Sequence, residues 1–354
     1  MEISGDAGQH RLSPGPLLDG RGRLAEAGWA GSEVRTYDRS RIAVPRWRIK
    51  EWDYYCVLAD GDDGPFGLAL TVADNGYLGL LGVSWLDLTG RTETTENVMV
   101  PFPLGRLRLP ASADAGEVIV DRRGIRLEFR HEHGARRLVV RHPGFAGGRG
   151  LSGEVVLIPP GDERMVVALP FPGDDRAFYY NQKFPCLSAA GTVTLAGREH
   201  TFDPASASGV FDWGRGVWTY DNTWFWASAS GRHEGRPFGF TVGYGFGDTT
   251  AGSENMVLVD GVAHKLDRVQ FHLPHGTYDG TYDGAPWRFA SNDDRFEMSF
   301  EPILDRAADV NALVLRSTQH QVFGRFTGRV TLDDGVRLEV RDLLGFAEKV
   351  HNRW

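Results

Sequence analysis

Apolar and polar side chains alternate in short runs along most of this chain. Residues 117–121, 126–130, 136–141 and 153–158 each change character at every step and are separated by turn residues. A period of two puts alternate side chains on opposite faces, as in a half-buried strand. Residues 165–171 form another such run, and 191–195 and 198–202 form a hairpin about Ala196-Gly197. Upstream, residues 47–58 lead into a strand, the Asp-Gly-rich segment 60–64 turns into 66–73, and 77–88 is a further apolar, glycine-spotted strand. Downstream, 224–230, 237–244, 255–259, 265–273, 287–290, 295–301, 321–332 and 336–342 read as strands joined by glycine turns. Residues 1–16 show no periodicity and are expected to be a disordered tail. The segment 344–354 is expected to make one or two helical turns. The pattern predicts an all-β protein of antiparallel barrels or sandwiches.

Composition narrows this picture. The 354 residues suffice for one large or two ordinary domains, and 41% hydrophobic content supports a core. Forty-five glycines and 18 prolines suit turns and short strands. A net charge of −8 with no long basic run argues against nucleic acid as the main partner. Cys56 and Cys186 match no metal or redox spacing and are expected to be free thiols. No apolar run reaches the roughly 20 residues of a membrane span. The N-terminal stretch lacks a signal-peptide hydrophobic region, so a cytoplasmic protein is expected. Oligomeric state is left open.

One stretch stands out. Residues 211–226 hold four of the chain's ten tryptophans, Trp213, Trp218, Trp224 and Trp226, together with Asp212, Arg215 and Tyr220. Gly214 and Gly216 allow backbone conformations other residues resist, or close approach of a ligand. The stretch reads as the wall of a ligand pocket with an acid in it, or as a structural tryptophan cluster with a buried Asp212–Arg215 pair. An apolar setting raises a carboxyl pKa and leaves it able to donate a proton. An internal echo accompanies it: Gly191-x-Val193-Thr194-Leu195 precedes Asp212 as Gly328-x-Val330-Thr331-Leu332 precedes Glu348, which suggests two related barrels.

Several segments together resemble the bacterial family called domain of unknown function 2804. They are Trp52-Asp53-Tyr54-Tyr55-Cys56-Val57, Phe211-Asp212-Trp213-Gly214-Arg215-Gly216-Val217-Trp218 and Trp224-Phe225-Trp226-Ala227-Ser228-Ala229-Ser230-Gly231. Glu254-Asn255, Val259-Asp260-Gly261, Phe323-Gly324-Arg325-Phe326 and Gly345-Phe346-Ala347-Glu348 onward to Trp354 complete the set. That family name implies no function. More distantly, Gly209-Val210-Phe211-Asp212-Trp213-Gly214 is similar to a Gly-x-x-x-Asp-x-x-Trp segment of the carotenoid 1,2-hydratase and AttH-like group. That resemblance implies two tandem lipocalin-like antiparallel β-barrels, here 17–219 and 220–354. It also implies that Asp212 corresponds to the aspartate proposed to protonate a carbon–carbon double bond. In this chain Trp213 follows the acid directly, where the hydratases place it two or three residues later.

The candidate catalytic groups are Asp212, Glu254, Glu348 and His351; the last two would share a helical face. The candidate substrate-binding residues are Tyr54, Trp85, Tyr180, Trp213, Arg215, Trp218, Tyr220, Trp224, Trp226, Asn255, His320 and Arg325. His131 and His133 make only two ligands, so no metal is expected. No nucleotide-binding fingerprint or nucleophile elbow occurs, so no cofactor is expected. Three functions fit: a cofactor-independent lyase, hydratase or isomerase acting on a small hydrophobic or amphipathic molecule; a non-catalytic binder of lipophilic ligands; or a glycoside hydrolase with paired carboxylates.

Overall fold

The computed structural model describes residues 8–274, 285–312 and 315–353. Strands hold 65% of the chain, and all but one short pair of them run antiparallel. A 13-stranded sheet bends into a nearly closed barrel whose path runs from the edge strand Thr92–Pro101 to the edge strand Glu117–Arg122. Its last strand in sequence is Ala207–Val217, and the second sheet begins at Asp221–His233. That sheet has nine strands and curls as a half-barrel, where two full barrels were expected.

Each sheet wraps its own apolar core. The first core holds Tyr55, Trp85, Phe129, Phe178, Phe211 and Trp213, and the second holds Phe238, Phe240, Phe271, Phe289, Phe296 and Phe326. The outer faces of the two sheets also meet. Tyr54, Cys56, Val210, Trp226, Phe323 and Phe346 form one apolar cluster across this junction; Met165, Tyr179, Trp218 and Phe246 belong to another. Strands at the junction are therefore buried on both faces, and their sequences read as continuous apolar runs rather than alternating ones.

The structure departs from expectation at both ends of the chain, and double burial explains the C-terminal departure. The segment beyond 344 is not helical: it is the end of the strand Arg337–Arg353, which lies between Asp221–His233 and Leu315–Thr331. Its Leu343–Ala347 run shows no period of two because both faces pack. Nor do residues 8–16 form a loose tail. Gln9 is buried and bonds Leu266 and Ser253 of the second sheet's region, Leu12 is in the first core, and Gly15–Pro16 pairs with Arg35–Thr36. Residues 1–7 lie outside the described residues. Cys56 and Cys186 are free and buried.

A candidate active site at the junction of the two sheets

Asp212 lies in register between Lys183 on one neighbouring strand and Tyr54 on the other. Its Oδ1 accepts from Asn181 Nδ2 at 2.6 Å, and its Oδ2 stands 3.2 Å from Lys183 Nζ. Glu348 takes the matching place in the second sheet, in register between Gln321 and Trp226. It accepts from Gln321 Nε2 at 3.0 Å and from Trp224 Nε1 at 2.9 Å. Glu254, just ahead of the strand Met256–Val259, accepts from the Tyr179 hydroxyl at 2.8 Å and stands 3.9 Å from Lys183 Nζ. Lys183 thus serves carboxylates from both sheets, and its Nζ sits 3.8 Å from the Trp226 ring centre.

The internal echo has a structural counterpart. Gly191 and Gly328 each sit so close to a neighbouring strand that a Cβ would lie 2.1 Å from a carbonyl oxygen, of Glu154 and Glu297 respectively. Each long strand then turns back, and a later strand places its carboxylate beside a donor on that same long strand: Lys183 for Asp212, Gln321 for Glu348.

Further donors fix Gln321. Its Oε1 accepts from the Tyr54 hydroxyl at 3.0 Å and from Arg306 Nη2 at 2.6 Å, which turns its amide N–H toward Glu348. Arg306 also donates to Ser84 of the first barrel at 2.9 Å.

Burial sets the electrostatics. Removal from water pushes the Glu348 carboxyl up to about 7; the Asp212 charge adds to the rise, while Trp224, Lys183 and Arg306 oppose it. Burial also raises Glu254, against the pull of Lys183. The phenols of Tyr54 and Tyr179 are held well above their usual range by burial, so both stay neutral donors.

Aromatic rings roof the cluster. Trp52 meets Trp218 at 5.1 Å, and Phe246 meets Trp218 at 5.3 Å and Trp224 at 5.0 Å. Gly214 is needed here: a Cβ would lie 2.0 Å from the Trp52 indole. Asp212 and Glu254 remain 7% exposed and Glu348 6%, whereas Asn181 and Arg215 are fully covered. Trp52 and Trp224 beside these carboxylates are half-buried. A cavity of about 10 Å³, the size of one water, lies farther along the junction among Cys56, Val210, Ser228 and Phe346. A larger groove of about 360 Å³ opens elsewhere, beside Arg232 and Glu339, away from these groups.

The structure thus brings together Asp212, Glu254, Glu348, Tyr54, Trp218, Trp224 and Trp226. It separates the others. Arg215 does not pair with Asp212: three apart on a strand, they face opposite ways. Arg215 points into the barrel, donates to Asp53 at 2.9 Å and lies over Trp213. Trp85 and Tyr180 belong to the same barrel core. Asn255 is buried but occupied by Gly243 N and Asp267 O. Tyr220 is exposed. His351 bonds Asp221 at 2.9 Å on the surface, facing away from Glu348 because the segment is a strand. His320 bonds Asp305 at 2.8 Å, and Arg325 clamps Asp60 across the two sheets. Lys183, Asn181 and Arg306 were not anticipated. The signal for the first two was the polar run Asn181-Gln182-Lys183 between the apolar segments 177–180 and 184–187 of one strand. Among the described residues no group of three or more His, Cys, Asp or Glu could hold a metal ion.

The fold is shared with solved structures of low sequence identity. A protein described as a putative AttH from Nitrosomonas europaea is 15% identical, with a TM-score of 0.57 over 94% of this chain and 98% of that one. CghA, solved with Sch210972, is 12% identical, with a TM-score of 0.53 over 95% and 97%. Kievitone hydratase from Nectria haematococca is 11% identical, with a TM-score of 0.49 over 96% and 98%. No curated protein matches the chain in sequence. The chain belongs to the family described as domain of unknown function (DUF2804), whose model matches residues 9–354.

Proposed function

We propose that the junction cluster is the active site of a cofactor-independent lyase, hydratase or isomerase acting on a small hydrophobic or amphipathic molecule. One observation carries this reading: Asp212 and Glu254 share the single ammonium of Lys183, and the buried Glu348 feels the charges of both Lys183 and Asp212. Like charges held that close in low dielectric favour keeping a proton among them. Glu348, poised near neutrality, is the general acid, a value suited to proton transfer at physiological pH. Asp212, paired with Lys183, is the matching base. The aromatic roof holds an apolar substrate by area and limits the water beside it to the reacting molecule.

The balanced step is an addition or its reverse. Glu348 donates a proton to one carbon of a double bond, water attacks the other, and Asp212 takes the proton that water releases. An isomerase would use the same two groups to deliver a proton at one carbon and remove it at another.

The test begins by extracting purified protein for bound small molecules and screening those found, with a panel of unsaturated lipophilic compounds, as substrates. Each is incubated with the enzyme in heavy water and deuterium at carbon is read by mass spectrometry. Wild type incorporates deuterium; Glu348→Gln and Asp212→Asn each slow incorporation by roughly 10²–10⁴-fold while circular dichroism shows a retained fold. Ligand retained by wild type without any incorporation rejects catalysis in favour of simple binding.

A further inference from the structure

The end of the first barrel where the chain crosses to the second sheet carries an exposed patch of arginines and aromatic rings. Two loops build it, residues 39–48 and 101–108, and both rest on the turn at Gly76. Leu104 N donates to Gly76 O at 3.1 Å and Phe102 N to Tyr77 O at 2.9 Å. Trp47 packs its backbone so closely that a Cβ on Gly76 would lie 2.4 Å from the Trp47 carbonyl oxygen. Gly105 rests in the same way against the Arg39 side chain.

Arg41, Arg46, Arg106 and Arg108 are exposed, and among the described residues none of them forms an ion pair, although the charge of Arg41 is felt by Asp38. Trp47 is 54% and Phe102 62% exposed. The carboxylates at the margin are occupied: Asp38 caps its own turn through Ser40 N, Asp174 pairs with Arg48, Glu51 with Arg39, and Asp221 with Arg353. Tyr220, also exposed, lies in the crossing beside Arg353.

The chain as a whole carries a net charge of −8, so four exposed guanidiniums at one end, only Arg41 of them partly offset by Asp38, are a local reversal of sign. Such a surface attracts an anionic partner by charge complementarity. Tryptophan and phenylalanine exposed among arginines suit the headgroup level of a bilayer, where rings sit against acyl chains and guanidiniums meet phosphates. The same end holds Trp218, which belongs to the aromatic roof, so a molecule leaving a lipid surface there would meet the junction.

We propose that this end of the molecule docks on an anionic bilayer surface, with Trp47 and Phe102 at headgroup level and Arg41, Arg46, Arg106 and Arg108 on lipid phosphates. This is peripheral association by loops and does not depend on the chemistry proposed above.

Co-sedimentation with vesicles of equal phosphatidylglycerol and phosphatidylcholine tests it, with phosphatidylcholine vesicles as the control. The full chain sediments with the anionic vesicles at low salt and is released as salt rises. Each arginine contributes roughly a fivefold factor, so replacing all four by glutamine lowers partitioning by about 100-fold or more. Trp47→Ser with Phe102→Ser, both already exposed and so neutral to folding, lowers it by roughly tenfold. A short DNA duplex competes poorly. Absence of sedimentation with anionic vesicles, binding unchanged in the fourfold arginine variant, or displacement from vesicles by equimolar duplex overturns the proposal; the last outcome assigns the patch to nucleic acid.

Discussion

Glu348 is the residue whose behaviour depends most on its surroundings. Folding lifts its carboxyl from the usual range to about 7, chiefly by burial. Between those values the folded protein holds a proton that the unfolded chain has released, so stability falls as pH rises through that window and levels off above it. The loss is at most roughly 3 kcal/mol, from the size of the shift. Glu254 is raised by the same cause and adds in the same direction. Glu348→Gln keeps the acceptor and donor shape without the charge. Its melting temperature should therefore decline less between weakly acidic and neutral pH than that of wild type, as read by calorimetry across pH. Gly214→Ala tests a steric requirement: its Cβ would press on the Trp52 ring, and denaturant unfolding should show a loss of about 1–3 kcal/mol.

Strand geometry accounts for what was and was not legible in the sequence. Period-two runs located the hairpins of the first sheet because their outer faces meet water, as in Arg126 and Arg130 around Phe129. The run 211–226 was recognisable by composition, but pairing within it was misassigned. On a strand, residues 212 and 215 must face opposite sides, so Asp212 and Arg215 belong to different environments. The true partners, Lys183 and Asp53, lie on neighbouring strands, and register across strands is invisible to local spacing. Likewise Glu348 and His351 were joined by a helical rule that a strand buried on both faces does not obey. The Arg215–Asp53 pair gives a prediction at this scale. Asp53→Ala removes the carboxylate bonded to the buried Arg215 guanidinium, leaving only the charge of Glu51 to offset it, and should cost roughly 3 kcal/mol in denaturant unfolding. Ligand binding at the junction should persist in the folded fraction, because the pair points into the barrel.

Across the whole molecule, the junction is both the contact that unites the sheets and the place where the carboxylates meet. Arg325 with Asp60 and Asp342 ties the sheets at the surface, an exposed arrangement worth about 1 kcal/mol or less, so Arg325→Ala should be mild and salt-sensitive. Trp226, buried between Tyr54 and Phe346, is different: Trp226→Ala should cost about 3–5 kcal/mol. Tryptophan fluorescence and far-ultraviolet dichroism should still trace one coincident transition, since the sheets share this interface. The polar groups persist inside that apolar contact, and the first barrel is filled by its own side chains, including a saturated Arg215. The interface, rather than the barrel interior, is therefore where carboxylates of both sheets share one cation.

The most direct measurement is infrared difference spectroscopy of wild type against Glu348→Gln across pH. A protonated carboxyl band present in weak acid and lost with a midpoint near 7 is the predicted result. A band already absent at pH values near those of free glutamate would show that the junction holds no shared proton and would contradict the assignment of Glu348 as acid.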